Sequence, residues 1–173
     1  TFDSSTKNYV LSSSGGFGIS AGSLTKNGTG SLTISSVNTY NGATTLNAGS
    51  TVMSGSGTLG SGSALTLGGG GLNLGGTSQT VGTLSISAPA ASGDTISNGS
   101  LTASSYAAGN TTGNAIISAN LLVNASAGFT KTGAGTVTLT GANTYTGATT
   151  VNGGAFAIGG SGTLASTSAM VLG

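Results

Sequence analysis

The sequence TKNGTGSLTISSVNTYNGATTLNAG at residues 25–49 returns as TKTGAGTVTLTGANTYTGATTVNGG at residues 130–154. Without a gap, residues 24–68 align with residues 129–173 at an offset of 105 residues, and 24 of the 45 positions are identical. A bias toward glycine and threonine explains scattered matches. It does not explain why a lysine and an Asn-Thr-Tyr triplet stand at equivalent positions in both copies. The chain therefore contains an internal duplication, and residues 1–173 are predicted to form one repetitive segment.

A shorter rhythm of apolar residues runs through both copies. Pairs such as Leu65/Leu67 and Leu72/Leu74 have the i, i+2 spacing of one strand face, and Val52 falls in the same rhythm. Glycine-rich turns separate the pairs, and the rhythm recurs roughly every 20 residues, which indicates stacked rungs of an all-β parallel β-solenoid. The predicted inward side chains are Leu32, Ile34, Leu46, Leu65, Leu67, Leu72, Leu74, Val137, Leu139 and Val151.

The composition fits such a stack. Charged residues make up only 3% of the chain and glycine supplies 34 residues. Rungs about 4.8 Å apart would place like charges opposite each other, which favours an uncharged surface. About eight rungs give a rod on the order of 40 Å long, and the 105-residue period is close to five rungs. Lys26 and Lys131, and likewise Tyr40 and Tyr145, are therefore expected on the same side of the rod.

The alternative architecture is an antiparallel sandwich or barrel, in which Asn41-Gly42 would be a hairpin turn. It does not explain the 20-residue rhythm. The rhythm weakens over residues 87–114, which include Pro89, the one proline of the chain. This region is predicted to consist of rungs with a protruding loop near residues 88–94.

The repeated signature TK-x-G-x-G-x-[LV]-T-[IL], followed by NTY-x-G-A-T-T-[LV]-N-x-G, resembles the autotransporter-associated β-strand repeat, also called the passenger-associated transport repeat. Both copies carry it, at residues 25–49 and 130–154. The resemblance implies a right-handed parallel β-helix in a secreted or surface protein of Gram-negative and related bacteria. In that family the repeat is associated with passage of the passenger region to the cell surface.

Residues for catalysis and metal binding are scarce. The chain has no His, Cys, Glu or Arg, and its only carboxylates, Asp3 and Asp94, are expected several rungs apart. Two aspartates do not make a calcium-binding solenoid, and the four glycines of Gly68–Gly71 lack the Lys-[Ser/Thr] of a phosphate loop. We therefore expect no enzyme activity, no metal and no cofactor. A net charge of +1 also argues against nucleic acid as a partner, and no apolar run is long enough for membrane insertion.

The repeated polar residues have two interpretations each. Lys26 and Lys131 are expected to be solvated turn residues, with a partner contact as the alternative. The rings of Tyr40 and Tyr145 are expected to pack over adjacent turns, with sugar binding as the alternative. Two pairs of asparagines are also equivalent in the two copies, Asn38 with Asn143 and Asn47 with Asn152. These side chains are expected to hold turn backbones or to stack as amide ladders.

The function expected from these observations is that of a structural component of an extracellular bacterial filament or surface rod. The alternative is an adhesin segment that binds host or surface glycans. Ice binding is a minor alternative, because Thr136–Thr140 alternates threonine outward whereas Ser31–Ser35 has threonine only at its centre. Residues 168–173 match residues 63–68, which continue into further rungs, so we expect either a longer chain or end-to-end stacking of copies.

Overall fold

The computed structural model describes residues 1–3, 5–87 and 94–173, and within these ranges all regular secondary structure is β-strand. In chain order the strands are β1 (Phe2–Asp3), β2 (Tyr9–Leu11), β3 (Leu24–Asn27), β4 (Ser31–Ile34), β5 (Thr44–Leu46), β6 (Ser50–Met53), β7 (Ala64–Leu67), β8 (Gly71–Asn73), β9 (Ser78–Thr80), β10 (Thr83–Ile86), β11 (Thr95–Ser97), β12 (Ser100–Thr102), β13 (Tyr106–Ala108), β14 (Asn114–Ile117), β15 (Asn120–Leu122), β16 (Phe129–Lys131), β17 (Thr136–Leu139), β18 (Thr149–Val151), β19 (Ala155–Ile158) and β20 (Met170–Leu172). None of the described residues forms a helix long and apolar enough to span a membrane.

The strands form three parallel sheets, which are the faces of a solenoid. The first face has the order β1-β3-β5-β7-β10-β13-β16-β18-β20, and the second has the order β2-β4-β6-β8-β11-β14-β17-β19. The third face contains β9, β12 and β15. Each rung contributes one strand to the first face and one to the second, so the chain completes eight rungs and β20 begins a ninth.

Every pairing between the described strands is parallel, which confirms the predicted β-solenoid and shows that the antiparallel alternative is wrong. Register partners on the first face are 19 to 23 residues apart from the second rung onward, as between Leu65 and Leu84 and between Tyr106 and Phe129. The Asn41-Gly42 dipeptide is not a hairpin turn, because Gly42 donates to the Gly22 carbonyl on the rung before. The loop predicted near residues 88–94 lies outside the described residues except for Asp94.

The core is a column of apolar side chains between the three faces. Nine of the ten predicted inward residues are buried, at 1% exposure or less. The tenth, Val151, is only half-buried, because its register partner on β20 is Leu172, which is itself 78% exposed. Val52 faces outward, and Thr51 and Met53 take the two inward positions of that strand. Each buried aliphatic side chain contributes about 1.5–3 kcal/mol, so the column is a large stabilising term.

The two copies stack differently on the two faces. On the first face, register pairs lead from Thr25 to Thr130, which is its counterpart in the second copy. On the second face, the pairs lead from Ser31 to Thr138, two residues beyond its counterpart Thr136. The largest step joins Gly71 to Thr95. Because two residues are one full pleat, the slip leaves every side chain on its original side of the sheet.

Candidate functional site

The two repeated lysines lie inside the solenoid at the corner between the first and second faces. Lys26 is 1% exposed and Lys131 is 0% exposed, although each had been predicted to be a solvated turn residue or a partner contact. Both predictions are wrong, because the alternation of each strand continues through the lysine: Leu24 and Lys26 share the inward side, as do Phe129 and Lys131. Their place on the same side of the rod is confirmed, since β3 and β16 belong to the same face.

The Lys26 ammonium satisfies backbone carbonyls that the corner leaves without ladder partners. Its Nζ lies 2.6 Å from the Asn27 and Gly28 carbonyl oxygens and 3.3 Å from that of Ala48 on the next rung. A buried carbonyl without a donor is destabilising, so a charged donor with three N–H groups fits this corner. Burial lowers the pKa of Lys26, and the Asp3 carboxylate partly offsets this by raising it.

The repeated tyrosines are core residues. Tyr40 is 1% exposed and Tyr145 is 0% exposed, so neither ring presents a face for sugar binding or lies over the surface of a turn. The Tyr40 hydroxyl lies 2.6 Å from the Thr44 hydroxyl, and the Tyr145 hydroxyl lies 2.8 Å from that of Thr149. Each buried hydroxyl therefore has a polar partner four residues further along the chain, which ties the turn to the next strand of the first face.

Aromatic rings stack along the core between the sixth and eighth rungs. Tyr106 and Tyr145 have ring centroids 5.7 Å apart, and Phe129 and Phe156 have centroids 5.5 Å apart in an edge-to-face arrangement. Burial raises the pKa of Tyr106 to about 12. Its hydroxyl lies 2.7 Å from the Leu122 carbonyl oxygen, so this phenol is a structural donor. Tyr106 was not among the residues predicted from the sequence, because it lies in the stretch between the two copies.

Amide side chains replace ladder bonds where the third face lacks a regular strand. Asn38 accepts from the Ile19 amide at 2.8 Å and donates to the Thr58 carbonyl at 2.6 Å, so it bridges three rungs. Asn143 does the same between the Leu121 amide and the Thr163 carbonyl. These contacts confirm that Asn38 and Asn143 hold turn backbones.

A third amide of this kind had not been predicted. Gln79, the only glutamine of the chain, accepts from the Leu59 amide at 2.9 Å and donates to the Gly57 carbonyl at 3.0 Å. The sequence signal for this bridging role was the position of Gln79 as a single amide among Thr77, Ser78 and Thr80. Among the exposed asparagines, Asn47 donates to the Asn27 side chain at 2.8 Å, which is the predicted amide ladder.

The corner of the fifth and sixth rungs holds two further buried polar side chains. Asp94 is 2% exposed, and its Oδ1 accepts from the Gly69 amide at 2.8 Å, while its Oδ2 has no partner among the described residues. Asn110 is also 2% exposed, and its Oδ1 likewise lacks a described donor. Burial raises the pKa of Asp94 to about 6, and the Gly69 hydrogen bond opposes this rise. Asp3 lies on the first rung, so the two carboxylates are four rungs apart.

The outer surface is almost uncharged. Of the five charged side chains, Lys26, Asp94 and Lys131 are buried, and only Asp3 and Lys7 of the first rung are exposed. A hydroxyl-rich column crosses the first face in strand order, formed by Thr25, Thr45, Thr66, Ser85, Ala107, Thr130 and Thr150. On the second face, by contrast, the neighbours of Thr138 are Ile116 and Ala157, so the threonine array required for ice binding there does not continue.

Exposed apolar side chains are spread over several of the described rungs, and the two most exposed, Phe17 and Leu172, lie on the first rung and on β20. Phe17, 84% exposed, lines a shallow groove on the early rungs with Val37 and Thr39. On β20, Met170 and Leu172 are 52% and 78% exposed.

The geometry defines the class of protein: a parallel β-solenoid whose corners hold buried polar side chains and whose outer surface is almost uncharged. The passenger-associated transport repeat matches residues 24–53 and 129–158, about a third of the chain. Both matches begin and end with strands, β3 to β6 and β16 to β19, so each covers the first-face and second-face strands of two successive rungs. No curated protein and no solved structure gave a significant match. The chain thus carries two passenger-associated transport repeats, which with the solenoid fit a passenger-type segment of an autotransporter.

Proposed function

We propose that the chain is part of the shaft of a secreted or surface-displayed bacterial passenger protein, where it is a structural rod and not an enzyme. The observation that carries the proposal is the position of both transport repeats on one continuous solenoid, where each supplies the first-face and second-face strands of two successive rungs. The repeated lysines, the repeated tyrosines and the pair Asn38 and Asn143 are all buried in these rungs. The repeat therefore preserves the buried side chains that hydrogen-bond to polar groups inside each rung.

The absence of enzymatic activity is part of the proposal. A glycosidase needs two carboxyl groups within about 10 Å of each other. Asp3 and Asp94 are four rungs apart, roughly 19 Å at the usual strand spacing, and Asp94 is buried. The neutral surface offers no basic patch for nucleic acid as a partner.

The shaft function is tested by surface display. The chain is placed between an epitope tag and the membrane barrel of an autotransporter, and tag exposure on whole cells is measured with an antibody. We expect Tyr40→Phe/Tyr145→Phe, which weakens both repeats, to reduce exposure well below that of Lys7→Met, an exposed control. Equal display of both variants and of a fusion lacking residues 24–53 would contradict a role of the repeats in the shaft.

We further propose that such rods assemble end to end, with a second copy supplying the next rung on β20. Alternate residues of a parallel strand bond to opposite neighbours. Gly173 donates to the Val151 carbonyl and Ala169 accepts from the Thr149 amide, so this alternation directs the Leu172 amide to the open side. The neutral surface gives no repulsion between copies.

Sedimentation velocity across a concentration series, with negative-stain electron microscopy, tests the assembly. The purified chain is expected to form elongated multimers. Leu172→Pro removes the amide on the open edge and is expected to abolish them, whereas Leu172→Met keeps the amide and serves as control. A 16.0 kDa monomer at the highest concentration would refute end-to-end assembly and leave the display result untouched.

A glycan-binding function is the second candidate, and the groove beside Phe17 is the observation that favours it. An aromatic ring exposed over 84% of its surface is available to stack on a sugar ring. A glycan array with the wild-type chain and Phe17→Ala tests this. Saturable binding that the substitution abolishes would support the adhesin, and identical profiles of the two proteins would exclude this groove as the site.

A further inference from the structure

Three buried side chains with complementary chemistry follow one another along a single corner of the solenoid. Asp94 lies on the fifth rung, Asn110 on the sixth and Lys131 on the seventh. Their exposures are 2%, 2% and 0%. A carboxyl group, a primary amide and a primary amine therefore share one interior corner, and none of the functions described above requires all three.

The amine of Lys131 and the side-chain amide of Asn110 both reach the turn at residues 133–136. Lys131 Nζ donates to the Gly133 carbonyl oxygen. Gly133 lies directly against Asn110, since a Cβ on this glycine would collide with the Asn110 and Gly109 carbonyl oxygens. The Asn110 side chain also reaches from its own rung to the rung of Lys131, where its Nδ2 donates to the Thr136 carbonyl at 2.8 Å.

The hydrogen bonding of the corner is incomplete in a complementary way. Asn110 Oδ1 is an acceptor without a described donor, and Asp94 Oδ2 lacks a described partner as well. A carboxyl group that carries a proton on Oδ2 becomes a donor, which is what an amide oxygen needs. Buried polar atoms are normally satisfied, so two orphans on adjacent rungs require an explanation.

Burial favours a protonated carboxyl group and a neutral amine, which are the forms needed for an amine to replace the ammonia of a primary amide. Burial raises the pKa of Asp94 to about 6, which favours the neutral acid. Burial lowers the pKa of Lys131, which favours the neutral amine, the nucleophilic form. Residues 88–93, which precede Asp94 in the chain, contain no titratable side chain, and no ion pair of Asp94 occurs among the described residues.

We propose that Lys131 and Asn110 become joined by an intramolecular isopeptide bond, with Asp94 as the group that transfers the proton. The Lys131 amine attacks Asn110 Cγ, and a new C–N bond forms. The bond from Cγ to Nδ2 then breaks, and ammonia leaves with the transferred proton as ammonium. The side-chain ammonium and amide are thereby converted to a secondary amide and one ammonium ion, so no oxidant or cofactor is consumed. The bond links the sixth and seventh rungs of the shaft covalently.

Lys26 provides an internal control for this chemistry. On the rung before Lys26 a serine stands at the position that corresponds to Asn110, and the amide of that rung, Asn8, is exposed, with its Oδ1 accepting from the Ser31 amide at 2.9 Å. The Lys26 ammonium is also held by three carbonyl oxygens at 2.6, 2.6 and 3.3 Å. The structure therefore predicts that Lys131 reacts and that Lys26 does not.

Intact-mass measurement and trypsin digestion of the denatured chain test the proposal together. Loss of ammonia lowers the mass by about 17 Da. The chain has only three trypsin sites, Lys7, Lys26 and Lys131, and an acylated lysine is not cleaved. We expect the lower mass, with cleavage after Lys7 and Lys26 and none after Lys131. Asp94→Asn, Asn110→Ala and Lys131→Arg are each expected to restore the sequence mass, and Lys26→Met is expected to keep the loss.

Each outcome decides the question. The full sequence mass in the folded wild-type protein would refute the bond, and so would cleavage after Lys131. A succinimide at an Asn-Gly pair such as Asn27-Gly28 also loses ammonia, but it leaves Lys131 cleavable and persists in Lys131→Arg. Loss of ammonia that survives in Asp94→Asn, with Lys131 still protected, would keep the bond and remove Asp94 from the reaction.

Discussion

Replacing Lys26 by methionine is expected to lower the free energy of unfolding by about 2–4 kcal/mol. Three carbonyl oxygens, at 2.6, 2.6 and 3.3 Å from Nζ, lose their charged donor. Hydrogen bonds to charged groups contribute about 1.5–3 kcal/mol each. The desolvation of a buried ammonium opposes this gain by several kcal/mol, and methionine keeps the apolar stem in place. The net loss is therefore a fraction of the gross hydrogen-bond energy.

Urea unfolding followed by circular dichroism at neutral pH measures this loss by linear extrapolation. In a chain of this size each kcal/mol lowers the melting temperature by about 2–4 °C, so a drop of roughly 4–16 °C is expected. Lys7→Met, at an exposed lysine, is the matched control and is expected to change stability by less than about 0.5 kcal/mol. A Lys26→Met protein as stable as wild type would refute the view that the ammonium supports the corner.

Three further predictions concern single features of the interior. Tyr40→Phe is expected to lower the free energy of unfolding by about 1–2 kcal/mol, because the Thr44 hydroxyl at 2.6 Å loses its buried partner, and the double variant with Thr44→Val should cost less than the sum of the single ones. Gly57→Ala is expected to cost more than about 2 kcal/mol, since its Cβ would collide with the Ile34 carbonyl oxygen, whereas Gly62→Ala meets no atom within 4 Å and serves as control. Burial raises the pKa of Asp94 from 3.8 to about 6, so the folded state binds the proton more tightly, and stability should fall by up to about 3 kcal/mol as the pH rises from 3.8 to about 6. Asp94→Asn should flatten that slope in pH-dependent urea titrations, and an unchanged slope would contradict the assignment.

The parts of the fold that depend on local pattern were predictable from the sequence. Pairs such as Leu65/Leu67 alternate within one short strand, and glycine-rich turns follow many of the strands, so strand, facing and period are all encoded within about 20 residues. The lysines were misjudged because charge usually indicates exposure. The alternation of Leu24-Thr25-Lys26 already placed Lys26 on the inward side, but Ala48, one of its carbonyl partners, is 22 residues away.

Positions set by stacking between distant residues could not be predicted in this way. Val52 falls in the apolar rhythm of the sequence, yet its strand is fixed by pairing with Thr33 and Asn73, which puts Thr51 and Met53 inward. The corner of Asp94 and Asn110 joins residues of adjacent rungs that share no motif. Only the register of the whole stack brings them to one place.

The distribution of charge follows from the geometry of the stack. On the outside of a parallel solenoid, equivalent positions recur about every 4.8 Å, so a charge in a repeated position would face copies of itself. At the corners the chain turns between faces, and carbonyl groups such as that of Gly28 leave the ladder. A lysine at that point pairs with carbonyl oxygens instead of with another charge. This explains why both copies of the transport repeat carry a lysine in a chain with so little charge. It also explains why that lysine is buried, because its ammonium group supplies the hydrogen bonds that the carbonyl groups of the corner do not receive from the backbone.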